Sequence, residues 1–296
     1  MTLTNSMPPI APTYPSQQVT DAELALYAKL IYERTGVRIS PQKQTLLSNR
    51  IRRRLRATGI EGFAEYYQHL KRLPPCDAEW DAFLQEITTH ETYLFRDEPQ
   101  WDWFRNVYLP GRAAENHGVA GPRSLRIWSA ACSTGDEACT VACCIAARLP
   151  GFQNWKIAIL GTDIGLGALQ EARAGVFGER AMQHVPPECR RCYFTETRPG
   201  RAWQAKPVLT QMMAFRHHNL MEPLRERPFD LILLKNVLIY FDADSKRRVL
   251  ASLLPLLQPG GMLIIGASEG VSDLLKNYVR IQPWLYQRPQ ETARPR

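Results

Sequence analysis

The sequence predicts an all-α N-terminal domain followed by an α/β domain built on a parallel sheet. Two observations carry that prediction. Between about 21 and 86, apolar residues recur at three- and four-residue spacing, the helical period. After about 120, short apolar runs alternate with helix-like segments. These runs are Leu125–Ala130, Ile157–Leu160, Phe229–Leu234 and Met262–Ile265, and each ends in a polar or Gly-rich turn.

The elements follow in order. Residues 1–20 hold four prolines and little apolar pattern, and read as a flexible tail. "DAELALYAKLIYERTG" places Leu24, Tyr27 and Ile31 on one helical face and stops at Gly36. "SPQKQTLLSNRIRRRLRATG" predicts a helix with Ser40 as N-cap, Pro41 at the first position and Gly59 just past the end. Two shorter helices fit "FAEYYQHLKRL" and "EWDAFLQEITT". The helical domain is thus expected over 21–86 and the α/β domain over 87–290, with a short tail at 291–296. Residues 181–218 are rich in turn formers and read as a small antiparallel excursion from the main sheet.

Composition narrows the class. In 296 residues, 45% are hydrophobic and 22% charged, ordinary for a globular protein. No secretory start and no membrane-length apolar run is visible, so a cytoplasmic location is expected. The 7 cysteines then read as reduced thiols. Cys139, Cys143 and Cys144 share one predicted helix, and Cys189-x-x-Cys192 has no second pair, so no metal site is expected. The net charge is +8, and most of it is local: residues 21–60 hold nine Lys/Arg against three acids.

In an open α/β sheet, ligands bind beyond the carboxyl ends of the strands. The polar residues at those ends are Ala131 through Glu137, then Asp163, then Lys235 and Asn236 with Tyr240 beyond; Asn219 lies just upstream of the third strand. A carboxylate after the second strand can accept both ribose hydroxyls of a nucleoside. The first loop, "WSAACSTGDEA", places Asp136 and Glu137 where a phosphate-binding helix would present bare N–H groups. Two acids repel a phosphate and suit a nucleoside with a cationic tail, such as S-adenosylmethionine. Each acid alone would serve equally well as an ordinary helix N-terminal residue.

Five segments in this order resemble the CheR chemotaxis methyltransferases: "TTHETYLFRDEP" (88–99), "WSAACSTGDEA", "GTDIGLGALQEARAGVF" (161–177), "FDLILLKNVLIYFD" (229–242) and "LQPGGMLIIGASEG" (257–270). The resemblance covers about 22–288. It implies a Rossmann-like S-adenosylmethionine-dependent domain with a small inserted β-subdomain, preceded by an all-α domain. It implies transfer of a methyl group from S-adenosylmethionine to receptor glutamates, leaving S-adenosylhomocysteine. Carried over by position, the cofactor contacts fall at His90, Thr92, Arg96, Glu137, Asp163, Asn219, Leu220, Lys235 and Asn236. Arg96 and Tyr240 fall near the transferred methyl, as the catalytic pair. His90 stands where the family usually has Asn, and Lys235 where it usually has Arg.

The helix around 43–56 carries six basic residues and no acid. Leu47, Ile51 and Leu55 form its apolar line, flanked on one side by Lys43, Arg50 and Arg54. In the family such a helix faces the acidic methylation helices of chemoreceptors, so Lys43, Arg50, Arg53 and Arg54 are the expected docking residues of a monomeric enzyme. No nucleic-acid partner and no membrane insertion is expected. Two other readings remain at this stage: a nucleic-acid methyltransferase gripping phosphate with the basic helix, and a non-catalytic module that senses S-adenosylmethionine.

Overall fold

A computed structural model describes residues 18–74, 77–88, 91–115 and 123–290. Most of the 1–20 tail, the 291–296 tail and His90 lie outside the described residues. The chain divides into two compact units, one of residues 1–34 and 38–88, the other of 35–37 and 89–296.

The first unit is helical. α1 spans Asp21–Thr35, α2 Gln44–Thr58, α3 Phe63–Arg72 and α4 Ala78–Ile87. Tyr27, Ile31, Ile51, Leu55, Tyr66, Leu70 and Phe83 are fully buried, so the apolar stripes read from spacing are the core. α2 closes at Gly59, in the left-handed conformation. Its start differs from expectation. Pro41–Lys43 form a 3-10 turn first, and the Ser40 side chain makes no capping bond. α4 is capped by Asp77, whose carboxylate accepts the Glu79 N–H at 2.8 Å.

The second unit opens with α5 (Glu98–Trp103), which passes through a π-helical stretch, Phe104–Tyr108, into α6 (Leu109–Glu115). Then come β1 (Arg123–Ala130), α7 (Asp136–Arg148), β2 (Trp155–Asp163) and α8 (Leu166–Ala174). β3 (Val176–Gly178), α9 (Glu179–Met182), α10 (Pro187–Tyr193), β4 (Phe194–Arg198) and β5 (Ala202–Ala205) follow. α11 (Pro207–Thr210) leads to β6 (Met213–His217), β7 (Phe229–Leu234), α12 (Ala243–Leu253), β8 (Leu257–Ile265), β9 (Val279–Gln282) and β10 (Leu285–Gln287).

The main sheet has seven strands in the order β6-β2-β1-β7-β8-β10-β9. β6, β2, β1, β7 and β8 are parallel, and β10 and β9 close the far edge antiparallel. Side chains alternate between two cores: Leu125, Ile127, Leu231, Leu233 and Ile264 enter one, and Trp128, Ala130, Ile232, Leu234 and Ile265 the other. Helices cover both faces, which is why these strands read as unbroken apolar runs.

The small antiparallel sheet is β3-β5-β4. It lies within 176–205, earlier in the chain than the 181–218 expected from turn composition. The last part of the expected stretch does not belong to it: Pro207–Thr210 form a helical turn, and Met213–His217 join the main sheet beside β2. No helix among the described residues is long and apolar enough to cross a membrane.

Candidate active site

The strand order reverses at β1, between β2 on one side and β7 on the other, and in open α/β sheets ligands bind beyond the carboxyl ends at such a switch point. The register makes those ends level. Ala130 pairs with Thr162 and with Leu234, Leu234 with Ile265, and Asp163 with His217. Hence the segments after β1, β2, β6 and β7 start from one rim. Glu137, Asp163, Asn219 with Leu220, and Lys235 with Asn236 each follow one of these ends. Asn219, which the sequence left merely upstream of a strand, is the second residue beyond β6.

Asp163 is 6% exposed. Its two carboxylate oxygens accept the Ser133 and Gly165 N–H groups, each at 2.8 Å. The loops after β1 and β2 therefore fix the orientation of this acid.

The two acids of "GDEA" part company. α7 starts at Gly135, whose φ of 85° is left-handed and whose absent Cβ would lie 2.8 Å from the Ala172 side chain. Asp136 turns inward, 2% exposed, and accepts the Thr134 hydroxyl at 2.6 Å. Burial raises its pKa. This corrects the reading of both acids as ligand-facing: Asp136 is a packed residue of the first helical turn. Glu137 stays at the rim, where it accepts the Ser129 hydroxyl at 2.7 Å. Between them, Cys132 reports the local potential. Burial, then the carboxylates of Asp163, Glu137 and Asp136, push its thiol up. Asp163 and Glu137 thus bring acidic groups to this rim.

Lys235 is turned into the protein, its side chain 3% exposed. The ammonium donates to the Arg96 carbonyl at 3.2 Å and pairs with Asp97 at 3.2 Å and Glu137 at 3.5 Å. It lies 4.9 Å from the centre of the Trp101 ring, while the Trp101 indole N–H donates to the same carbonyl at 2.6 Å. One cation therefore ties the segment carrying Arg96 to α7 and to the end of β7. Lys235 was expected among the cofactor contacts; its ammonium makes these protein contacts. Arg96 itself donates to the Glu91 carbonyl at 2.9 Å and lies over the Tyr93 ring. Thr92 and Asn236 are half-buried, and Leu220 is buried. Asn219 accepts the Met221 N–H at 3.0 Å, and half-buried Tyr240 ends the 3-10 turn Leu238–Tyr240.

Backbone conformation marks the same place. The five non-glycine residues with positive φ among the described residues are Phe95, Asp97, Ala131, Ser133 and Asn236. All lie in the segments before α5, after β1 and after β7. Left-handed conformations cost about 1–2 kcal/mol in a side-chain-bearing residue, and they concentrate where ligands are held.

Two family models match: the CheR methyltransferase all-α domain over residues 22–88, and the CheR methyltransferase S-adenosylmethionine-binding domain over 90–283. The chain belongs to the CheR methyltransferase family. Chemotaxis protein methyltransferases of Salmonella typhimurium and Borreliella burgdorferi are similar along nearly their whole length. The first is 33% identical over 267 residues, covering 88% of each chain. The second is 30% identical over 274 residues, covering 91% of this chain and 95% of the relative. A solved glycopeptide N-methyltransferase complexed with S-adenosylmethionine aligns over 52% of this chain at 14% identity and a TM-score of 0.30. The CheR cofactor is S-adenosylmethionine. The oriented Asp163, the acidic groups at the rim and a first loop shaped by Ala131 and Ser133 instead of a phosphate-binding glycine run all fit it.

Sequence reasoning missed Asp97, Trp101 and Glu269. The last is 1% exposed and accepts the Val237 N–H at 3.3 Å. Its signal was the polar turn "GASEG" after β8, in a motif that had been assigned no role.

The docking residues are not equivalent. Arg54 pairs with Glu79 at 2.5 Å, both side chains under 20% exposed, and Tyr66 donates to the same carboxylate. Arg50 donates to the carbonyls of Ile87 and Thr88. Arg53 pairs with Glu86 and is 65% exposed, and Lys43 is half-buried. Arg54→Ala would leave the Glu79 carboxylate with Tyr66 but without its cation, so a stability loss of about 3 kcal/mol is expected. That corresponds to roughly 10–20 °C in the melting of a domain this small. A melt of the helical unit within a few degrees of wild type would show the pair to be dispensable.

Proposed function

We propose that this CheR methyltransferase converts glutamate side chains of chemoreceptors to methyl esters, working as a cytoplasmic monomer on the receptors' methylation helices. The observation that carries this reading is the placement of Arg96. It sits on a segment tied by Lys235 to the end of β7, the strand end that Asn236 and Tyr240 follow.

S-adenosylmethionine supplies an electrophilic methyl on a sulfonium. Asp163 would hold the ribose hydroxyls, and Glu137 contributes negative charge toward the cationic end. Thr92, Asn219, Leu220 and Asn236 would complete the cofactor's walls. A glutamate carboxylate is already ionised at neutral pH, so its attack needs no general base. What the protein must supply is alignment and exclusion of water. Arg96 and Tyr240 can do this by gripping or flanking the carboxylate without moving a proton. Methyl transfer turns a carboxylate and a sulfonium into a neutral ester and a thioether.

The test is a transfer assay with labelled cofactor, offering receptor cytoplasmic fragments and RNA in parallel. Label should enter the receptor fragment and leave it as methanol in mild alkali, as esters do. Label in RNA, or none in either substrate, would refute the reading.

Docking has its own test. Long-range attraction from Lys43 and Arg53 to an acidic helix weakens with salt, since the screening length is about 10 Å at 0.1 M. Lys43→Glu with Arg53→Glu should lower kcat/KM for receptor by on the order of tenfold, about 1.4 kcal/mol, and flatten the salt dependence. Cofactor affinity should not change. Wild-type efficiency with wild-type salt dependence would leave these charges without a role in docking.

A further inference from the structure

We propose that Glu269 is a positioning residue of the methyl-transfer site: its buried side chain seats the backbone of 236–240 and thereby presents Asn236 and Tyr240. The inference rests on the assignment of those two residues to the site.

β7 and β8 are neighbours, with Leu234 opposite Ile265, so the loops that follow them leave the sheet side by side. The first loop has an unusual start. Asn236 is left-handed, with φ of 57°, and Val237 follows at φ −123° and ψ −42° before the 3-10 turn Leu238–Tyr240. A left-handed residue followed by right-handed turn points successive N–H groups to one side and forms a concave seat for an anion. The second loop provides the anion. Glu269 Oε1 accepts the Val237 N–H at 3.3 Å. Burial raises the pKa of Glu269, and the N–H groups of Asn236, Val237, Ile239 and Leu238 act against it by favouring the charged form. The Lys246 ammonium goes to the main-chain carbonyl of Glu269 at 2.6 Å, which fixes the loop at its own backbone.

Two further observations bear on why a glutamate stands here. Glu269 Oε2 is buried with no hydrogen-bond partner among the described residues. A carboxyl oxygen buried without a partner is unfavourable in either protonation state, so an apolar residue would fill the space at less cost. The second observation is Gly266. A Cβ there would lie 2.6 Å from Glu269 Oε1 and 3.1 Å from the Asn236 nitrogen. Without a side chain at 266 the carboxylate and the turn can meet; with one, the carboxylate must leave its seat.

The experiment titrates S-adenosylhomocysteine into the full chain by calorimetry. The variants are Glu269→Gln, Gly266→Ala, Asn236→Ala and the Glu269→Gln/Asn236→Ala double, with Asp163→Ala as a reference for the site and thermal melts for all. Glu269→Gln keeps shape and removes charge; Gly266→Ala displaces the carboxylate without replacing it. Each should weaken S-adenosylhomocysteine binding by on the order of tenfold. In the double variant, affinity should fall no further than in Asn236→Ala alone, because Glu269 acts through that segment. If both Glu269→Gln and Gly266→Ala bind within twofold of wild type, or if the losses multiply in the double, the inference fails. Where one of the two does not fold, the other decides alone. Retained affinity in Asp163→Ala would instead locate the fault in the site assignment itself.

Discussion

Asp163→Ala is expected to weaken S-adenosylmethionine and S-adenosylhomocysteine binding by on the order of 100-fold, about 2.8 kcal/mol. The carboxylate is placed by the ends of two loops, through the Ser133 and Gly165 N–H groups. Alanine removes the proposed acceptor for the ribose and also the acceptor of the Ser133 and Gly165 N–H groups. Each N–H group left without its acceptor costs the fold about 1–3 kcal/mol. Asp163→Asn keeps one carbonyl acceptor and should fall between. Calorimetry measures the affinity, and near-ultraviolet circular dichroism checks the fold. Wild-type affinity in a folded Asp163→Ala protein would remove this acid from the cofactor site.

Lys235→Met should harm both stability and turnover. Methionine keeps an unbranched stem against the Trp101 ring and deletes only the ammonium. Glu137 and Asp97 then face each other's vicinity without the cation between them, and the Arg96 carbonyl loses a donor. Asp97 is 40% exposed and can turn to water, but removing the buried cation beside Glu137 costs about 3 kcal/mol. In a domain of roughly 200 residues that is a fall of about 6–12 °C in Tm. Turnover should drop by more than about tenfold at temperatures where the variant is folded, because the segment that carries Arg96 is no longer tied to β7. A Tm and a turnover both near wild type would show that the cluster is not what holds this segment.

The parts of this architecture that were legible in the sequence are those with continuous or periodic burial. β1, β2, β7 and β8 have cores on both faces, so each shows as an apolar run. "MAFRH" (β6) and "VRIQ" (β9) sit at the two edges and stay largely exposed, so neither shows as an apolar run, and β6 was placed in the antiparallel excursion instead of the main sheet. Strand-end position was enough to make Asp163 and Asn236 candidates. It could not separate Asp136 from Glu137: one helical step, about 100°, sends the first into the core and leaves the second at the rim. Nor could it show where long side chains turn. Lys235 and Arg54 look like surface cations in one dimension. Only the fold brings Asp97, Glu137 and Trp101 to the first, and Glu79 and Tyr66 to the second.

The level strand ends have a consequence for biosynthesis. The candidate cofactor contacts run from Thr92 to Asn236, and the sheet that brings them to one rim is woven from segments out of chain order, with β7 beside β1 and β6 beyond β2. A chain still on the ribosome, complete through β2 and α8, already has Asp163 but neither Asn219 nor Asn236. No partial set of strands brings all these candidate contacts to one rim, so a ligand held by all of them would engage only the finished domain. At a free concentration of 100 times Kd it would then deepen the native basin by about 2.7 kcal/mol while leaving every incomplete species untouched. Cofactor supply thus acts as a selective reward for complete assembly, and depletion of the methyl donor should expose the newest molecules to proteolysis first.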